Sequence, residues 1–124
     1  MERILLVDDE ASILSVLSTL LKAEGYEIVA TRDGQKAEAL LRDDSFDLMI
    51  SDIRMHPVNG IDLLKQARAE CPGMCVIMLT AYGSVETAIE ALKLGAFDYI
   101  TKPFKIDEIL ITVQRGLEFI RTLN

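Results

Sequence analysis

Five short and mainly apolar runs, each too brief for a buried helix, set the strongest limit on the fold of this chain. They cover residues 4–7, 26–30, 46–51, 75–79 and 97–101. Runs of this kind are typical of strands that are buried on both faces of a parallel sheet. The longer segments between them carry apolar residues at helical spacing, which predicts helices. Ser84 is predicted to cap the fourth helix. The last helix is predicted to begin near Lys105. The sequence therefore predicts five alternating strand and helix units.

This alternation predicts an α/β fold with one parallel sheet between two layers of helices. Because crossover connections are right-handed, few arrangements of five units remain. The favoured arrangement is a flavodoxin-like (βα)5 doubly wound sheet with strand order 2-1-3-4-5. In such sheets, functional groups lie beyond the carboxyl ends of the strands, near the point where the strand order reverses.

The length and net charge of the chain limit the kinds of protein to which it can belong. A chain of 124 residues suits one domain. Its net charge of -7 argues against nucleic acid binding by this segment and against attachment to an anionic membrane. Its apolar runs are too short for a membrane span or a secretory signal, so we expect a cytoplasmic protein. With two cysteines and a single histidine, His56, the chain lacks the ligands of a zinc site, and we expect both thiols to be free.

Polar side chains follow four of the five apolar runs. Asp8 and Asp9 follow the first, Asp52 the third, Thr80 the fourth and Lys102 the fifth. In a 2-1-3-4-5 sheet the first and third strands are neighbours, so three carboxylates should meet in one crevice, with a hydroxyl and an ammonium opposite. Each residue alone has a structural explanation, such as helix capping or a solvated surface charge. All of them together at the carboxyl ends of the strands favour a functional site.

The residue types in this set fit phosphoryl transfer. Clustered carboxylates without histidine or cysteine select a hard divalent cation, and Mg²⁺ is the usual choice beside phosphate. A carboxylate can act as a nucleophile toward phosphorus, with Lys102 and Thr80 stabilising the charge that develops on the oxygens. We therefore predict a Mg²⁺-dependent aspartyl phosphate at Asp52.

These motifs resemble the response regulator receiver family. The resemblance rests on Asp-Asp after the first strand, Asp after the third, Thr80-Ala81 after the fourth and Lys102-Pro103 after the fifth. It covers essentially the whole chain and is sharpest over residues 80–104, which are similar to receivers of the NtrC-type activators of sigma-54-dependent transcription.

The resemblance implies a role for each matching residue. Asp52 would be the phosphoacceptor, and Mg²⁺ would be bound by Asp9 directly, by Asp8 mainly through water, by Asp52 and by the backbone carbonyl of Arg54. Thr80, Ala81 and Lys102 would hold the phosphoryl group, and Tyr99 would turn inward as Thr80 moves. The Lys102-Pro103 peptide bond is expected to be cis.

The chain departs from the family in the loop after Asp52. The usual proline position is occupied by His56, and Pro57 follows it. Arg54 and Tyr82 stand at the positions that influence phosphate lifetime in the family, and both are large enough to screen an attacking water. We therefore predict slow autodephosphorylation.

The resemblance also implies partners and an output. A sensor histidine kinase would supply the phosphoryl group, and the fourth helix, fifth strand and fifth helix would form the switched surface. We divide the chain into a receiver domain, residues 1–117, and the start of a helical linker to an output domain, residues 118–124. A homodimer is expected through the switched surface or the extension of the last helix. Such a domain is a signalling switch that assists its own phosphorylation and dephosphorylation, and not an enzyme with an external substrate.

Three alternatives remain open at this point. A phosphatase of the haloacid dehalogenase type would need an acid where Arg54 stands. A flavodoxin would need a phosphate-binding first loop, which Asp8, Asp9 and Glu10 would repel. A receiver-like module that binds partners without phosphorylation would be favoured by loss of Asp52 or Lys102, and both are present.

Overall fold

A computed structural model describes residues 1–55, 57–81 and 84–123. It contains the five expected units in the expected order. The strands are β1 (Arg3–Val7), β2 (Glu27–Thr31), β3 (Leu48–Asp52), β4 (Cys75–Ala81) and β5 (Asp98–Lys102). The helices are α1 (Ala11–Ala23), α2 (Gly34–Asp43), α3 (Gly60–Glu70), α4 (Val85–Lys93) and α5 (Ile106–Thr122). None of the described helices has the length and apolar character required to cross a bilayer.

The sheet is parallel and has the order β2-β1-β3-β4-β5, which confirms the predicted topology. Several strand ends differ from the prediction by a few residues. β4 continues to Ala81 because Thr80 pairs with Thr101 and Ala81 with Lys102. The backbone ladder therefore extends past the apolar run and carries the polar strand ends into the ordered sheet.

Two apolar layers explain why β1 is apolar without interruption from Ile4 to Val7. Successive side chains of a strand point to opposite faces of the sheet. In β1, Leu5 and Val7 belong to the core on one face, with residues of α2 and α3. Ile4 and Leu6 belong to the core on the other face, with residues of α1 and α5.

The helix ends follow local chemistry in part. Gly25 and Gly95 have φ angles of 93° and 108°, as expected for residues that end α1 and α4. Asp33 and Asn59 accept hydrogen bonds from backbone amides in the first turns of α2 and α3. Ser84 precedes α4 as predicted, but its side chain makes no capping hydrogen bond with the described residues. Ser84 is therefore the N-cap residue by position, but not through its side chain.

The end of α5 contacts the body of the domain. The rings of Phe97 and Phe119 lie 5.4 Å apart. Arg121 forms an ion pair with Glu2, which precedes β1. The helix therefore runs without a break across residue 117, and its last turns contact both the residue that precedes β5 and the N-terminal segment.

Both cysteines are free thiols, as predicted. Cys75 is buried at the start of β4, and burial raises the pKa of its thiol to about 12. The thiol is therefore protonated at neutral pH, which fits a packing role for this side chain.

Candidate functional site

The strand ends bring the predicted residues into one crevice. Asp8 follows the last residue of β1, and Asp52 and Lys102 are the last residues of β3 and β5. Thr80 lies in β4, between the strands that carry Asp52 and Lys102, and its side chain is buried. The order of the sheet alone thus places these four residues along its carboxyl edge.

Lys102 lies at the centre of the crevice. Its Nζ atom is 2.8 Å from Oδ2 of Asp8 and 3.3 Å from Oδ2 of Asp52. It is also 3.3 Å from Oε1 of Glu10. One ammonium group is therefore shared among three carboxylates from two different strand ends.

Four carboxylates form a cluster that could hold a metal ion. Asp8, Asp9, Glu10 and Asp52 each offer one oxygen, and these oxygens lie within 4.8 Å of one another. Asp8 and Asp52 are buried, with 1% and 7% of their surface exposed, whereas Asp9 and Glu10 are exposed. Such a donor set, with oxygen ligands only, suits Mg²⁺.

One oxygen of Asp8 supports the assignment of a cation site. Oδ1 accepts a hydrogen bond from the Glu10 amide at 2.9 Å. Oδ2 is buried and finds no well-aligned hydrogen bond among the described residues, and its counter-charge is the Lys102 ammonium. A carboxylate oxygen can accept more than the single contact with Lys102, so a divalent cation fits this position as a second partner.

The electrostatics of the crevice raise the pKa of both Asp52 and Lys102, which disfavours the charged form of Asp52 and favours that of Lys102. Burial raises the pKa of Asp52, the charge of Asp8 raises it further, and Lys102 lowers it only in part. Burial tends to lower the pKa of Lys102, but the contacts with Asp8 and Asp52 outweigh this effect and the pKa is raised. Lys102 is therefore charged at neutral pH and held in place by the acids.

The backbone around Asp52 fixes the position of its carboxylate. The Arg54 amide donates to Oδ1 of Asp52 at 3.4 Å, and the Ser51 hydroxyl donates to the Asp52 carbonyl at 3.0 Å. The Gly60 amide donates to the Ile53 carbonyl at 2.8 Å, so the start of α3 is bound to the end of β3. Hydrogen bonds therefore restrain the backbone segment that carries the Asp52 carboxylate.

The remaining predicted residues lie near the crevice in different environments. Tyr99 is partly buried and packs against the apolar core between the sheet, α2 and α3, while Ala81 is exposed at the end of β4. Arg54 is exposed. The Lys102-Pro103 peptide bond is cis, as predicted. His56 and Tyr82 lie outside the described residues, so the predictions that depend on them stay predictions.

Two residues of the crevice were not predicted as site residues. Glu10 contacts Lys102, and Arg32 donates from Nε to the Asp9 carbonyl at 3.0 Å. The run Asp8-Asp9-Glu10 is a signal that could have suggested Glu10. Arg32 has no such signal, because its approach to Asp9 depends on the pairing of β2 with β1.

Neutralising Asp52 is expected to stabilise the metal-free domain. A group whose pKa is raised by folding contributes stability that is present at low pH and lost as pH rises through that pKa. Near pH 7, Asp52→Asn should therefore raise the melting temperature by a few degrees. The gain should shrink in acid, where the wild-type carboxyl is also protonated. Thermal unfolding in EDTA across a pH series measures this difference, and a variant that is less stable at every pH would contradict it.

Comparisons with known proteins show the family to which this chain belongs. A family model described as the response regulator receiver domain matches residues 4–114. The chain is 45% identical to the regulatory protein AtoC of Escherichia coli over 116 residues, which are 94% of this chain and 25% of that protein. It therefore spans about a quarter of the length of this curated relative.

Solved structures agree in fold. A CheY-like receiver domain protein from Methanospirillum hungatei has a TM-score of 0.95 at 32% identity, over 100% of this chain and 99% of that one. The beryllofluoride-activated NtrC4 receiver domain dimer has a TM-score of 0.91 at 34% identity, over 97% and 99% of the two chains. The similarity to a receiver of the NtrC type is thereby confirmed.

Proposed function

Since the chain belongs to the response regulator receiver family, we propose that it is a phosphorylation switch that accepts a phosphoryl group on Asp52. The observation that carries this proposal is the position of Lys102, whose Nζ atom lies 3.3 Å from Asp52 and 2.8 Å from Asp8. This contact supports the proposal because it joins a carboxylate able to act as the nucleophile, an acidic cluster and an ammonium able to bind phosphate.

The reaction at Asp52 is a direct transfer. One carboxylate oxygen of Asp52 bonds to phosphorus while the bond between phosphorus and the donor breaks, and that electron pair leaves with the donor. Mg²⁺, held by Asp8, Asp9, Asp52 and the carbonyl of Arg54, would neutralise charge on the phosphoryl oxygens. Lys102 holds the opposite side of the same group as a point charge.

The switch follows from the new acceptor oxygens. A phosphoryl group adds charge and three acceptors next to Thr80 and Lys102, with Ala81 beside them at the end of β4. Contacts with these oxygens favour one arrangement of the segments that follow β4 and β5. Movement of Thr80 would open space for Tyr99, which is partly buried on the neighbouring strand and pairs with Met78, two residues before Thr80. The surface formed by α4, β5 and α5 would then change.

The partners and the output belong to this proposal as well. We assign phosphorylation to a sensor histidine kinase, the location to the cytoplasm, and the output to transcription control of the sigma-54-dependent type that NtrC-type receivers serve. A homodimer through α4, β5 and α5, or through the α5 extension, is supported by the similar NtrC4 receiver domain, which forms a dimer when activated by beryllofluoride. Residues 118–124 would lead into the output domain.

A mass measurement tests this function directly. The chain is incubated with acetyl phosphate, with Mg²⁺ or with EDTA, and its intact mass and modified residue are determined. We expect one phosphoryl adduct on Asp52 that requires Mg²⁺. If no adduct forms under any condition, the phosphorylation switch is wrong, and a partner-binding module on the same fold takes its place.

A further inference from the structure

Glu10 is an exposed acid whose carboxylate contacts the Lys102 ammonium, the group that would bind phosphate in the proposed function. Its side chain is 57% exposed, and Oε1 lies 3.3 Å from Nζ of Lys102. The two residues are 92 positions apart in the sequence. We infer that Glu10 is a positioning residue for Lys102, and that its charge limits how readily the site accepts an anionic phosphodonor. This inference rests on the proposed phosphorylation of Asp52.

The backbone of Glu10 is fixed independently of its side chain. Its amide donates to Oδ1 of Asp8, and its carbonyl accepts from the amides of Ile13 and Leu14 at 3.1 and 3.2 Å. Although Glu10 is the N-cap residue of α1, its side chain makes no capping hydrogen bond with the described residues. Its carboxylate is therefore free to interact with Lys102, and a change to glutamine should leave the helix start intact.

Glu10 competes with the phosphoryl group for Lys102. In the described structure the ammonium is shared with Asp8, Asp52 and Glu10. Lys102 must reorient toward oxygens on phosphorylated Asp52, and it would lose some of these contacts when it does so. Asp8 is held in the buried crevice, whereas Glu10 approaches from solvent. The contact between Glu10 and Lys102 can therefore be removed while the buried acids of the crevice stay unchanged.

Glu10 also contributes to a strongly negative site. Four carboxylates are clustered, three of them contact the one ammonium, and a phosphodonor at neutral pH is itself an anion. Because like charges a few ångströms apart repel, the outermost acid opposes entry of the donor. The same charge attracts a divalent cation. Glu10 should therefore have opposite effects on cation binding and on phosphorylation, which a purely structural role cannot produce.

The test compares Glu10→Gln with wild type and with Glu24→Gln. Glu24 is an exposed acid at the other end of α1, so its variant carries the same loss of charge far from the crevice. Mg²⁺ affinity is measured by titration followed by amide chemical shifts. Adduct formation is measured by intact mass at saturating Mg²⁺, with acetyl phosphate and with the less charged donor phosphoramidate.

We expect Glu10→Gln to weaken Mg²⁺ binding by roughly twofold to fivefold. At saturating Mg²⁺ it should accelerate transfer from acetyl phosphate by roughly threefold to tenfold, with a smaller gain for phosphoramidate and for either donor at high salt. Glu10→Asp keeps the charge but shortens the reach, and it should resemble wild type in Mg²⁺ binding while it accelerates transfer less than Glu10→Gln. Glu24→Gln should leave both quantities unchanged.

Three outcomes would overturn the inference. In the first, wild type is phosphorylated but Glu10→Gln transfers at the same rate. In the second, the variant is weaker in both Mg²⁺ binding and transfer, which would indicate a damaged site. In the third, wild type takes no adduct at all, which overturns the proposed function and the inference together.

Discussion

Asp52→Asn is expected to abolish the Mg²⁺-dependent adduct completely. An amide is not a nucleophile toward phosphorus, and the substitution also removes one of the clustered carboxylates that would hold the cation. Intact mass after incubation with acetyl phosphate and Mg²⁺ should show only the unmodified variant. Beryllofluoride should likewise leave the amide signals near Thr80 and Tyr99 unchanged, whereas it should shift them in wild type.

Asp43→Asn provides the control for this experiment. Asp43 is an exposed acid at the end of α2, so its variant has the same change of charge and should be modified like wild type. If an adduct persists at full yield in Asp52→Asn and maps to another acid of the crevice, that acid is the phosphoacceptor instead of Asp52. An adduct that maps outside the crevice would reject the proposed site.

Gly60→Ala is expected to be the most destabilising single-methyl change near the site. A Cβ atom at Gly60 would fall on the backbone carbonyl oxygen of Asp52, well inside van der Waals contact, and 2.8 Å from Cα of Ile53. Since both neighbours are backbone atoms at the end of β3, rotation of a side chain cannot relieve the overlap. We expect a loss of about 3 kcal/mol or more in the free energy of unfolding.

The same displacement should impair the site. Relief of the overlap requires α3 and the end of β3 to separate, and this would move the Asp52 carboxylate away from Lys102. Gly60→Ala should therefore lose most of the adduct yield even at temperatures where it stays folded. Unfolding in urea, followed by circular dichroism, measures the stability, and intact mass measures the yield.

Gly73→Ala is the matched control for Gly60→Ala. A Cβ at Gly73 would have no atom within 4 Å, and Gly73 does not have a positive φ. Its variant should be within about 0.5 kcal/mol of wild type. Equal stabilities of the two variants would show that the close approach of Gly60 to β3 is not maintained in solution.

Strand order and the main site residues were predicted because they depend on local pattern and one topological rule. Residues 4–7 indicate a buried strand without any knowledge of the fold, and Asp8 had to follow its end. Once the order 2-1-3-4-5 was fixed, Asp8, Asp52, Thr80 and Lys102 could only meet at the carboxyl edge. The strand limits were less accurate, since β4 continues through Thr80 and Ala81 by pairing with β5.

The contacts within the crevice could not be predicted in the same way. Glu10 looked like one more acid before a helix, and Ser84 looked like a helix cap. Whether such a side chain binds its own backbone or a distant group depends on which distant groups approach it. For Glu10 the group is Lys102, and for Arg32 it is the carbonyl of Asp9.

The sequence by itself determined the fold class, the order of the strands and the identity of the residues at their ends, because hydrophobic periodicity is a local property and chain handedness leaves few topologies. Only the tertiary structure decided how those residues share their charges. The division of one ammonium among Asp8, Glu10 and Asp52, the deeper burial of Asp8 and the contact of Gly60 with β3 all depend on distances between segments far apart in the chain. These distances are set by how the helices pack on the sheet, and the local sequence does not determine them.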